Sequence, residues 1–87
     1  MTINEAVSII RQEMNDCAYD FGSTSYQDRC LGIEVYASGG EIDVIVKMHV
    51  SDPSNAGEVN ENVNSTLRSI HNAHEIPYGV NLRVKYE

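Results

Sequence analysis

Apolar residues recur along the first quarter of the chain at alternating steps of four and three: Ile3, Val7, Ile10, Met14, Cys17 and Phe21. That is the spacing of one side of an α-helix, with Ala6 at its margin. Thr2 followed three residues later by Glu5 has the form of a capping box, so the helix is expected to start near Ile3 and to end at Gly22. Ile9 falls off the stripe and reads as apolar surface. The polar run from Ser23 to Arg29 reads as a solvated connection.

The period then changes to two. Leu31, Ile33, Val35 and Ala37 alternate with Gly32, Glu34, Tyr36 and Ser38, and Ile42, Val44, Val46, Met48 and Val50 alternate with Asp43, Ile45, Lys47 and His49. These are two half-buried strands. Gly39 and Gly40 between them supply the positive φ angles of a two-residue hairpin turn. Pairing outward from that turn sets Ala37 against Ile42, Val35 against Val44, Ile33 against Val46 and Leu31 against Met48, so that every apolar residue faces an apolar one.

After the turn and cap formers of Ser51 to Asn55, with Asn55 and Glu58 at capping-box spacing, helical periodicity returns. Val59, Val63, Thr66, Leu67, Ile70 and Ala73 share a face opposite a polar side of Asn60, Glu61, Asn64, Ser65 and Ser69. Pro77 and Gly79 stop this helix. Val80, Leu82, Val84 and Tyr86 then alternate with Asn81, Arg83 and Lys85 as a third strand. The order αββαβ, with one apolar face on each element, predicts an α+β fold: a two-layer sandwich of a three-stranded mixed sheet with two helices on one face. The right-handed crossover rule makes the third strand parallel to the second. The pattern leaves open which strand it lies beside.

Residues 1–87, at 41% apolar content, fit a single domain. Thirteen acidic against six basic residues give a net charge of −7, which repels phosphate and argues against nucleic acid and anionic membranes as direct partners. No apolar stretch approaches a membrane span, and the first residues lack the basic and apolar regions of a secretion signal. A cytoplasmic chain with Cys17 and Cys30 reduced is the expectation.

Strand parity places Cys30, Glu34, Tyr36, Asp43, Ile45, Lys47, His49, Asn81, Arg83 and Lys85 on the uncovered sheet face. That face is near neutral while the rest of the chain is strongly acidic. Tyr36 and Ile45 offer apolar contact, and Lys47, Arg83 and Lys85 can meet Glu34 and Asp43 of a second copy. The competing reading is a solvated face with charges paired across strands.

Two sets of side chains suggest metal or nucleophile chemistry. The expected register puts Cys30 opposite His49, a pair suited to soft-metal ligation or to a thiolate with its base. His71 and His74, with Glu75 next, have the i, i+3 spacing of a chelating pair on the second helix. Neither set is complete, and histidines in a last turn also suit the negative end of a helix dipole. No phosphate-binding loop is present, since Gly22-Ser23-Thr24-Ser25 has no lysine and no preceding strand. No cofactor is expected.

From Ser38 to Glu87 the chain resembles a known family. The Gly-Gly turn, the strand Ile42 to Val50, the Asp52-Pro53 step, the valine-spaced helix and Pro77 to Gly79 leading into Val80-Asn81-Leu82-Arg83-Val84 are similar to the cytoplasmic domain of cation diffusion facilitators. The same half is similar to alkaline shock proteins, in the strand, the helix and the valine-spaced final strand. The first resemblance implies an αββαβ homodimerising module that senses divalent metal. This chain departs from it in having no histidine from Ala56 to Val63. The expected function is that of a small acidic, non-enzymatic dimerisation or protein-interaction module using the open sheet face. Two alternatives stand beside it. One is an acidic decoy or inhibitor of a nucleic-acid-binding protein, which requires Glu5, Asp16, Glu58 and Glu61 to project together; the other is a small divalent-metal-binding protein.

Overall fold

Helix α1 spans Ile3–Asp16 and starts where the capping box placed it. The Glu5 amide donates to the Thr2 hydroxyl, and the Thr2 amide donates to the Glu5 carboxylate, both at 3.1 Å. The structure is a computed structural model that describes residues 1–23 and 27–87; the middle of the Ser23 to Arg29 connection lies outside the described residues. Strands β1 (Arg29–Ser38) and β2 (Glu41–His49), helix α2 (Ala56–Ala73) and strand β3 (Val80–Tyr86) follow. Short 3₁₀ turns at Ala18–Asp20 and Pro53–Asn55 link them.

The sheet has the order β1-β2-β3, with β1 and β2 antiparallel and β2 and β3 parallel. The α+β architecture is as the periodicities require, and β3 takes the place beside β2 that the pattern left open. Ala6, Val7, Ile10 and Met14 of α1 and Val59, Val63, Leu67 and Ile70 of α2 are buried against Val35, Ile42, Val44, Val46 and Met48. Both helices therefore cover one face, and the other is left uncovered.

One boundary, one helix cap and the burial of two residues differ from the sequence expectation. Helix α1 stops at Asp16 rather than Gly22, with Cys17 as its C-cap, and a 3₁₀ turn carries the chain on to Phe21. Phe21 still reaches the core with 0% exposure, because the tighter turn swings it inward where a continued helix would have kept it on the stripe. The side chain of Asn62 fastens this segment to α2 by donating to the Gly22 carbonyl at 2.9 Å. Asn55 makes no side-chain cap. The Asp52 carboxylate instead accepts from the Ser54 amide at 3.0 Å, and Pro53 occupies the first helical position, so the helical path begins three residues earlier. Ile9 is half-buried against the core, while Ala73 is exposed.

Helix α2 ends in a Schellman motif. The Ile76 amide bonds to the His71 carbonyl at 3.1 Å and the Glu75 amide to the Asn72 carbonyl at 3.2 Å, which forces Glu75 to a φ of 49°. The motif brings Ile76 into the core beside Ile70. Periodicity alone gave Ile76 no place.

Asp28 ties together two loops far apart in sequence. One carboxylate oxygen accepts from the Ser23 amide and hydroxyl, and the other from the Ser51 amide at 2.9 Å and its hydroxyl at 3.2 Å. These bonds to the charged form, the Ser23 side chain first, hold the Asp28 carboxyl well below its ordinary range, at about 2. A carboxylate with a lowered folded-state pKa stabilises the fold fully above its unfolded value near 3.8, and that stabilisation is lost as pH falls toward 2. Asp28→Asn should therefore lower the melting temperature at pH 7 and flatten its fall between about pH 4 and 2, as acid titration followed by circular dichroism would read. An unchanged acid profile would deny Asp28 this role.

Candidate interaction face

The register is as expected from the hairpin outward as far as Gly32 and Lys47, and then shifts. A β-bulge lies between Cys30 and Gly32, so Cys30 pairs with Met48 and Arg29 with His49, leaving Leu31 as the extra residue, 44% exposed. One inserted residue exchanges the faces of all that precede it. Cys30 thus turns to the core side and Arg29 joins the open face. The expected pairing of Cys30 with His49 is overturned.

Burial pushes the Cys30 thiol above its usual range, which keeps it protonated at neutral pH and unsuited to act as a nucleophile. Cys17 lies on the same side of the sheet, and both cysteines are free. His49 instead places Nδ1 3.0 Å from the backbone oxygen of Glu87.

The second candidate set diverges as well. His71 directs Nε2 at the Tyr78 carbonyl, 2.9 Å away, and so must carry its proton there. His74 pairs with Glu13 of α1. Glu75 lies past the helix end at its positive φ. The three follow different directions, and among the described residues no group of three His, Cys, Asp or Glu side chains is placed to hold a metal ion.

The open face comprises five rows running across the strands. From the hairpin end these are Ser38 and Glu41; Tyr36, Asp43 and Asn81; Glu34, Ile45 and Arg83; Gly32, Lys47 and Lys85; and Arg29 with His49. Of the residues that sequence parity assigned to this face, Glu34, Tyr36, Asp43, Ile45, Lys47, Arg83 and Lys85, with His49 and Asn81, lie on the side that the structure leaves uncovered, and Cys30 does not. What it missed was a gradient. Glu41 and Asp43 stand at the hairpin end, where Asn81 donates to both at 3.2 and 3.3 Å, while Lys47, Lys85 and Arg29 stand at the other end. Lys47 reaches back toward Glu34 at 4.0 Å, across a row. Ile45 is half-buried at the centre, and Tyr36 beside it is 46% exposed. The depression among Tyr36, Asp43, Ile45, Asn81 and Arg83 holds only ≈ 120 Å³, below the roughly 300 Å³ at which small-molecule sites begin.

Comparison with family models, with curated proteins and with solved structures finds no match for this chain. No helix among the described residues is long and apolar enough to cross a membrane.

Proposed function

We propose that the protein is a non-enzymatic interaction module of the cytoplasm whose uncovered sheet face docks a second copy of the same chain. The charge gradient along the strands carries this reading. A two-fold axis lying in the contact plane and perpendicular to the strands sets the acidic end of one face over the basic end of the other. Ile45 then meets Ile45, and Asp43 stands over Lys47 of the second copy, twice by symmetry. Glu34 and Arg83, level with Ile45 on the flanking strands, meet their own copies at the solvated rim, where screening keeps the repulsion small. The resemblance of Ser38 to Glu87 to a dimerising domain supports the same reading.

The area sets the strength. Three strands about 4.8 Å apart and near 3.3 Å per residue offer on the order of 400 Å² per copy. Stable dimers bury about 800 Å² per partner, so the expected association is weak and transient. Sedimentation equilibrium from micromolar to high-micromolar concentration should show a reversible dimer. Ile45→Glu should weaken it about tenfold or more without changing the melting temperature appreciably, because it removes the central apolar anchor and adds a charge to be desolvated. A wild type that stays monomeric across that range, or a variant that dimerises equally well, would discard this assignment.

A further inference from the structure

The two edges of the sheet are treated differently. At β1 the edge is guarded: the Arg11 guanidinium of α1 donates to the Val35 carbonyl at 2.6 Å, and the bulge at Leu31 breaks the strand line. At β3 nothing comparable is present among the described residues. The two ends of its ladder with β2 show which groups are used. The Gly79 carbonyl accepts from Ile42 and the Glu87 amide donates to the Met48 carbonyl, both at 2.9 Å. In a parallel pair alternate residues carry the bonds, so the odd-numbered positions face β2. Val80, Leu82 and Val84 therefore aim both amide and carbonyl away from the sheet.

The side chains around these groups have a definite chemistry. Val80, Leu82 and Val84 are only half-buried, and beside them a groove of ≈ 570 Å³ runs between α2 and β3, with Leu67, Arg68 and His71 on its far wall. On the opposite side of the strand stand Arg83 and Lys85, both exposed. From Ile76 to Tyr86 there is no acidic residue, in a chain of net charge −7.

We infer that the β3 edge receives an extended acidic peptide segment of a partner protein as a fourth strand. The added strand would bond to the outward backbone groups of Leu82 and Val84. Its carboxylates would stand beside Arg83 and Lys85, and its alternate apolar side chains would enter the groove over Leu67 and Leu82. A second copy is a poor occupant, because a two-fold-related β3 brings Arg83 and Lys85 within a pleat or so of their own copies. The face-to-face dimer leaves the backbone edge of β3 free but draws Arg83 and Lys85 into its contact, so the test is made on protein that does not form it.

A blocked seven-residue peptide alternating Glu with Val tests this, with a Lys-Val peptide of the same length as control. Both are titrated into ¹⁵N-labelled Ile45→Glu protein, which removes the face-to-face contact from the readout. The acidic peptide should bind saturably, slow amide exchange at Leu82 and Val84, and exceed the basic peptide at least tenfold. Arg83→Glu with Lys85→Glu, which alters exposed side chains only, should reverse that preference. Equal binding of both peptides, protection that maps to other strands, or no saturation at millimolar peptide would each overturn the inference. So would protection of Leu82 and Val84 that rises with protein concentration in the absence of peptide, since the occupant would then be a second copy.

Discussion

Val46→Asp is expected to abolish the cooperative unfolding transition, leaving a chain that is unfolded or aggregated at 25 °C. Val46 is 0% exposed, paired with Ile33 on one side and Val84 on the other, beneath both helices. A carboxylate there has no cation to meet, since among the described residues none that is buried is polar or charged. An unpaired charge in such surroundings costs several kcal/mol even after relaxation. A domain of this size has a folding free energy near the low end of about 5–15 kcal/mol, so one such substitution consumes most or all of it. Lys47→Asp, one residue on and facing solvent, sets the scale: it adds a negative charge near Glu34 and should shift stability by a few tenths of a kcal/mol. Circular dichroism melts of the pair decide the matter, and equal stability would mean that the faces of β2 are exchanged.

Phe21→Ala should be the most damaging truncation outside the sheet, costing about 3–5 kcal/mol in chemical denaturation. Phe21 is the one phenylalanine in the chain, fully enclosed, and reached only through the 3₁₀ turn that follows α1. Its loss empties a space that neither helix can close, because Asn62 holds the adjoining backbone to α2. Tyr19, two residues earlier and 83% exposed, is the matched control, and Tyr19→Ala should be near neutral. A Phe21 variant within 1 kcal/mol of wild type would show that this segment packs more loosely than the structure describes.

The parts of the fold that were legible in the sequence are those where a periodicity is bounded by a residue with one conformational use. Gly39 and Gly40 adopt φ values of 58° and 83°, and the register they set holds through the four pairs from Ser38 with Glu41 to Val35 with Val44 and on to Ile33 with Val46. The register fails at Leu31 because an apolar residue satisfies the alternation whether or not it is bulged. The available signal was Gly32, since glycine inside a strand often marks a bulge. The α1 stripe overran its helix for a related reason: Cys17 and Phe21 keep the spacing although the backbone between them tightens. At α2, the Asn55 and Glu58 spacing located the helix start although Asn55 makes no side-chain cap, and the proline of Asp52-Pro53 marked the 3₁₀ turn that leads into it.

Parity placed the candidate face from Gly32 to the hairpin and along β2 and β3, and failed beyond the bulge, where Cys30 turns to the core and Arg29 takes the open side. The gradient of the face and the contrast between the two sheet edges were not legible. They depend on which strand lies beside which, and on long-range contacts such as that of Arg11 with Val35, twenty-four residues apart.

The central position of β2 also has a kinetic meaning. Its pairs with β1 grow outward from a two-residue turn, each closing only a small further loop. Its pairs with β3, from Ile42 with Val80 to Met48 with Tyr86, are all 38 residues apart. Loop-closure entropy rises with that separation, and the intervening α2 must condense before the crossover can be made. Contact separation alone favours the hairpin as the nucleus, with β3 expected to dock last. Until it does, β2 has a bare edge of its own, and Asp43 and Lys47, spaced along that strand, are the charges that keep the incomplete sheet from joining another.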